Sequence, residues 1–73
     1  MTKLIPGKLY KINSIISAEY EENDVHKNEI VMFLYFIKGN STIVNRYFFM
    51  HKTKIIESRE FDCYIEKILD KLV

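Results

Sequence analysis

The apolar positions change their spacing along the chain, and those changes divide it into elements. Pro6-Gly7 is a turn signal, because proline presets φ and glycine accepts positive φ. Leu9, Ile12, Ile15 and Ile16, with Tyr10 between them, give residues 8–18 a β-branched character that predicts a strand, although the spacing also fits a short helix. Glu19 to Asn28 (EYEENDVHKN) is polar and acidic and reads as an exposed connection. From Ile30 to Ile37 every residue is apolar, so both faces of a strand there would be apolar, which predicts a central strand over 29–38. Lys38-Gly39-Asn40-Ser41 predicts a hairpin turn in which Gly and Asn take left-handed conformations. Residues 42–50 (TIVNRYFFM) form its return strand, His51 to Lys54 a second short turn, and 54–57 a brief last strand.

From Ser58 the period lengthens. Phe61, Ile65, Ile68, Leu69 and Leu72 fall on one helical stripe, which predicts an amphipathic helix over 59–72. Ser58 is placed to cap it, Glu60 and Asp62 lie near its start, and Lys67 and Lys71 near its end. A helix this short is marginal alone in water, and the second apolar face of the 30–37 strand is the surface it would cover. The expected fold class is α+β. It consists of a single domain over residues 1–73 with a small bent antiparallel sheet of about three to five strands, barrel-like, and a C-terminal amphipathic helix.

Composition narrows the setting. A chain of 73 residues has a small core, so its stability is marginal unless a partner subunit helps. With 48% apolar and 29% charged residues it is expected to fold rather than remain disordered. Its one cysteine precludes an internal disulfide and a four-cysteine zinc site, and fits a reducing cytoplasmic setting. Met1 to Gly7 shows no hydrophobic signal core, and the longest apolar run falls far short of the ~20 residues that span a bilayer, so no membrane association is expected.

The net charge of +1 conceals segregation. Lys3, Lys8 and Lys11 stand without acids in residues 1–18. Glu19, Glu21, Glu22, Asp24 and Glu29 outnumber Lys27 in 19–37. Lys38, Arg46, Lys52 and Lys54 again stand without acids in 38–54, and the remainder carries a small acidic excess. Two readings follow. The blocks neutralise one another as solvated surface, or the basic blocks converge into a nucleic-acid face of Lys8, Tyr10, Lys11, Arg46, Lys52 and Lys54, with tyrosine stacking on bases. Asp62, Glu66 and Asp70 at helical spacing form an acidic ridge, read either as solvated or as a docking edge for a basic partner.

Catalytic chemistry is thin. His26 and His51 are the only imidazoles, and Cys63 has no sequence neighbour to act as its base. Asp24, His26, Glu22 and Glu29 are the nearest approach to a metal-ligand set, but single spacing of this kind is common by chance. No phosphate-cradling loop or nucleophile motif occurs. The expectation is a non-enzyme without cofactor or metal. The aromatic residues carry more. Phe33, Tyr35, Tyr47 and Phe49, with Arg46, lie on two strands predicted to pair, and the pair is apolar on both sides. One helix can cover only part of one side, so these residues are the candidate contact surface for a protein partner, a host protein or a second copy of the chain in a homo-oligomer.

The segments PGKLYKI (6–12), NEIVMFL (28–34) and RYFFMHKTKII (46–56) resemble small SH3-like barrel proteins encoded by bacteriophages. The resemblance implies a protein that works by binding, often to a host macromolecule, and it transfers no catalytic residues.

Overall fold

The eight-residue apolar run lies at the centre of a sheet. The computed structural model describes residues 3–16, 24–60 and 62–72, and the side chains of all of these except Asp62 and Cys63. Five strands and one short helix follow in chain order: β1 (Leu9–Ile12), β2 (Ile30–Ile37), β3 (Asn45–His51), β4 (Lys54–Glu60), α1 (Asp62–Ile68) and β5 (Leu69–Lys71). All neighbouring strands are antiparallel, in the spatial order β4-β3-β2-β1-β5. Residues 17–18 of the expected first strand, residues 19–23 of the expected connection, the stripe residue Phe61 and the side chain of Cys63 lie outside the described residues.

Strand alternation sorts the side chains. Tyr10 and Ile12 of β1, Val31 and Phe33 of β2, Tyr47 and Phe49 of β3, and Ile56 of β4 are all buried on one face, the inner face. Leu4, Ile16, Val25, Ile65 and Leu69 close over them and complete the core. The Phe33 ring lies 5.6 Å from Phe49 and 6.5 Å from Tyr47, both tilted, while Phe36 stacks on Tyr47 at 5.7 Å. Such ring pairs add to the stabilisation from buried area alone. The two buried phenols keep hydrogen-bond partners: Tyr10 Oη accepts from the Ile5 N–H at 2.9 Å, and Tyr47 Oη accepts from Asn45 Nδ2 at 3.1 Å.

A bulge sets which side chains of β2 face inward. Phe33 opposes Phe49 and Tyr35 opposes Phe48, so two steps along β2 match one step along β3, and Leu34 is the extra residue. Before the bulge the odd positions Val31 and Phe33 point inward. After it Phe36 takes the inner side, facing Tyr47, and Tyr35 turns outward, facing Phe48.

The termini of several elements differ from the sequence expectation for local reasons. β1 stops at Ile12, and among the described residues only an isolated bridge between Ile16 and Val25 continues the pairing. β3 begins at Asn45 rather than 42, because Asn40 Oδ1 accepts from the backbone N–H of Thr42 and Ile43 and from the Thr42 hydroxyl, closing residues 40–43 into a turn. Among the described residues, the left-handed non-glycine residues are Asn28 and Lys52, the latter inside the tight β3–β4 turn. Gly39 and Asn40 are not left-handed. Glycine is needed at 39 because a Cβ there would collide with the carbonyl oxygens of Ile43 and Val44.

The expected helix over 59–72 is shorter and begins later. Ser58 is a buried residue of β4 paired with Tyr47, not a helix cap. α1 ends at Ile68, and Leu69 starts a strand that pairs with the free edge of β1, Ile12 opposite Leu69 and Tyr10 opposite Lys71. Asn13 holds the switch: its Nδ2 donates to the Lys67 carbonyl at 2.9 Å, one of the orphan acceptors at a helix end, and to Asp70 Oδ1 at 3.0 Å. Asp70 therefore leaves the helix, and no ridge with Asp62 and Glu66 continues along it. α1 also covers the inner side rather than the second face of β2, since Ile65 and Ile68 join the core.

Replacing Gly39 with Ala is expected to lower stability by ~1–3 kcal/mol in urea unfolding, through the backbone collision. Ser41→Ala, in the exposed part of the same loop, is expected to change it by less than ~0.5 kcal/mol.

Candidate interaction face

The outer side of the sheet is built by the residues that alternate with the core. Four of them form one transverse row in register: Leu9 opposite Met32, Met32 opposite Met50, and Met50 opposite Ile55. This row crosses β1, β2, β3 and β4, spanning roughly 14 Å at ordinary strand spacing. Its members are solvent-facing: Leu9 is 45% exposed, Met32 36% and Ile55 64%, with Met50 half-buried. Ile30 and Ile37 extend the apolar surface along β2. Nothing among the described residues covers this row, whereas the equivalent positions one residue away are buried.

A second row replaces apolar side chains by an aromatic and ionic ladder. Tyr35 and Phe48 stack with centroids 4.5 Å apart and planes 16° from parallel, and the Arg46 guanidinium lies 5.4 Å from the Phe48 ring centroid. Arg46 then grips Glu57 with two bonds, Nε to Oε2 at 2.8 Å and Nη2 to Oε1 at 3.1 Å. Arg59 Nε donates to the same Oε2 at 3.0 Å. Cross-strand pairing places Arg46 directly opposite Arg59, a like-charge contact that is unfavourable unless neutralised. The shared Glu57 carboxylate neutralises it. The hydrogen bonds from Arg46 lower the Glu57 pKa from 4.5 to about 2, and the same contact raises that of Arg46.

The structure separates the residues singled out by sequence. Phe33, Tyr47 and Phe49 lie on the inner face with at most 1% exposure, so they fill the core and are not available to a partner. Tyr35 and Arg46 lie on the outer face. The bulge at Leu34 is the physical reason Phe33 and Tyr35, two residues apart, end on opposite sides. Of the basic candidates, Tyr10 is buried with its hydroxyl bonded to Ile5, and Arg46 is engaged by Glu57. Lys11 sits opposite Asp70 and Ile30, and Lys52 lies in the β3–β4 turn, whereas Arg46 is at the other end of β3, six residues or roughly 20 Å away. Lys8 is exposed before β1, and Lys54 begins β4 opposite His51. Arg46 therefore stands apart from Lys52 and Lys54. Leu9, Met32, Met50 and Ile55 were not singled out, although the alternation of buried and exposed residues in β1 and β4 carries the signal: Leu9 precedes Tyr10, and Ile55 precedes Ile56.

Two further groups have structural work. Glu29 Oε2 accepts the His26 N–H at 2.8 Å, which lowers its pKa, and its Oε1 lies 3.2 Å from His51 Nε2. Among the described residues no three His, Cys, Asp or Glu side chains come together as metal ligands. Among the described residues, the linings of two surface hollows, of about 220 and 360 Å³, contain no histidine or cysteine. Among the described residues no helix is long and apolar enough to cross a membrane.

The fold and this face define a small antiparallel-sheet protein with one filled and one open apolar side. Comparison with known proteins finds no matching family model, no matching curated protein and no matching solved structure.

Because the folded pKa of Glu57 is depressed, its contribution to stability is present above about pH 4.5 and is lost as pH falls towards about 2. Glu57→Gln is expected to lower the melting temperature at neutral pH and to flatten the acid limb over that window. An acid limb of unchanged slope in thermal melts would remove Glu57 as its source.

Proposed function

We propose that the chain is a small non-enzymatic protein-interaction module that binds through the outer face of its sheet. The observation that carries the reading is the unbroken row Leu9–Met32–Met50–Ile55, apolar and solvent-facing across four strands. Contiguous apolar surface of this kind stabilises nothing in the isolated chain, and on small soluble proteins it marks contact sites. A partner covering it would remove apolar area from water at roughly 25 cal/mol per Å² before the costs of association. The aromatic stack and the arginines beside it supply residue types enriched at protein interfaces.

Within this reading the architecture is an SH3-like barrel. Its support is the five-strand order with β5 returning to β1, the long connection between β1 and β2, the tight turn between β3 and β4, and the short helix before the last strand. Together with the resemblance of residues 6–12, 28–34 and 46–56 to phage-encoded barrels, this makes a host macromolecule the natural partner, bound and modulated in the cytoplasm. The nucleic-acid alternative has weaker support, since Arg46 lies at the opposite end of β3 from Lys52 and its tyrosine, Tyr10, is buried.

The test is capture from a bacterial lysate with three forms of the protein: wild type, Ile55→Glu on the face, and Lys52→Glu in the turn away from it. Both variants alter exposed side chains and are expected to melt within a few degrees of wild type. One partner retained by wild type and Lys52→Glu but lost by Ile55→Glu is the expected result. Retention by all three alike, or by none, would sink the interaction reading.

A further inference from the structure

The outer face restricts what can lie on it. The backbone groups of β1, β2 and β3 are engaged in ladders on both edges, so the face presents side chains only. An occupant resting flat on it must satisfy its own backbone donors and acceptors, which leaves a helix or another sheet. A second copy of this sheet is disfavoured by charge. The outer face carries Lys11, Arg46 and Arg59 against Glu57 and Asp70, so two such faces would meet with the same excess of cation.

The excess is localised. Arg46 and Arg59 each carry five N–H donors, and between them they share one carboxylate, Glu57, which accepts three hydrogen bonds from them. The Arg59 side chain is 64% exposed and that of Arg46 42%. A second carboxylate arriving from outside would balance the pair and take up donors that Glu57 leaves to water. Along β3 the distance from Met50 in the apolar row to Arg46 is four residues, roughly 13 Å, which a helix covers in about nine residues.

Resting on the interaction reading above, we infer that the occupant of this face is an amphipathic helix of a partner protein. The helix runs along β3: its apolar stripe passes from Met32, Met50 and Ile55 of the row over Tyr35 and Phe48, and an Asp or Glu about nine residues along reaches Arg59 and Arg46. A phosphate backbone fits the same surface poorly, because the row between the arginine pair and Lys52 offers it only apolar side chains.

Two helix-stabilised peptides of about 18 residues test this. Both carry a leucine stripe at i, i+4 and i+7 spacing, and they differ only at the distal position, Glu in one and Lys in the other. Binding is followed by amide chemical shifts of the labelled protein. The Glu peptide is expected to shift outer-face residues, to bind roughly fivefold tighter than the Lys peptide, and to lose that preference in Arg59→Glu. Ile55→Glu should weaken both by roughly tenfold or more. Equal binding of the two peptides, or a preference that Arg59→Glu leaves intact, overturns the acidic helix while the interaction reading stands on its capture experiment. Failure of both peptides to shift the outer face also overturns it. Sedimentation showing a dimer that Ile55→Glu dissociates would make a second copy the occupant. Salt-steep binding of an RNA or DNA hairpin that moves the Arg46, Arg59 and Lys52 signals together would make it nucleic acid. Either result contradicts the inference.

Discussion

β2 is apolar on both sides, and the described residues fill only one of them. Everything else in the structure is arranged around that limit. Val31, Phe33 and Phe36 receive the inner layer: Tyr10 and Ile12 from β1, Tyr47 and Phe49 from β3, and Ile65 from the short helix. Among the described residues, none forms such a layer over Ile30, Met32, Tyr35 and Ile37. The bulge at Leu34 lets the strand keep its largest rings paired across the hairpin while it bends, since Phe33 meets Phe49 before the bulge and Phe36 meets Tyr47 after it.

The edges follow from the same economy of chain. β1 has one neighbour in β2 and would expose its other edge, and the chain's last strand covers it. The Asn13 side chain joins the two events, satisfying the helix end at Lys67 and holding Asp70 of the arriving strand. Charge on the outer face is handled locally rather than by long-range balance. Arg46 and Arg59 are forced into register by the hairpin, and a single carboxylate between them makes that register tolerable. The pair that remains half-neutralised stands on the same outer face, roughly 13 Å along β3 from the apolar row.

Much of this is legible in the sequence. The central strand, the tight turn at His51–Lys54 and the β-rich class follow from β-branched and aromatic runs broken by turn residues. The inner and outer assignment is not, because a strand apolar on both sides has no alternation to read and a bulge shifts parity without a sequence mark. That is why Phe33, Tyr35, Tyr47 and Phe49 looked like one surface and proved to be three core residues and one exposed ring. The C-terminal stripe predicts a continuous helix because Leu69 and Leu72 keep the helical spacing. Pairing with β1, a contact some 57 residues distant between Ile12 and Leu69, overrides that local preference. The acidic stretch after residue 18 carried composition but no geometry.

The central claim is the division of β2 into a structural and a free side across the bulge. It is tested most directly by urea unfolding of four alanine variants: Ile30, Val31, Tyr35 and Phe36. Val31→Ala and Phe36→Ala are expected to cost ~1.5–4 kcal/mol each, and Ile30→Ala and Tyr35→Ala less than ~1 kcal/mol each, although Ile30 is the larger side chain beside Val31. If instead Val31 and Tyr35 were the costly pair and Phe36 the tolerant one, β2 would alternate without a bulge, and the outer face described here would not exist.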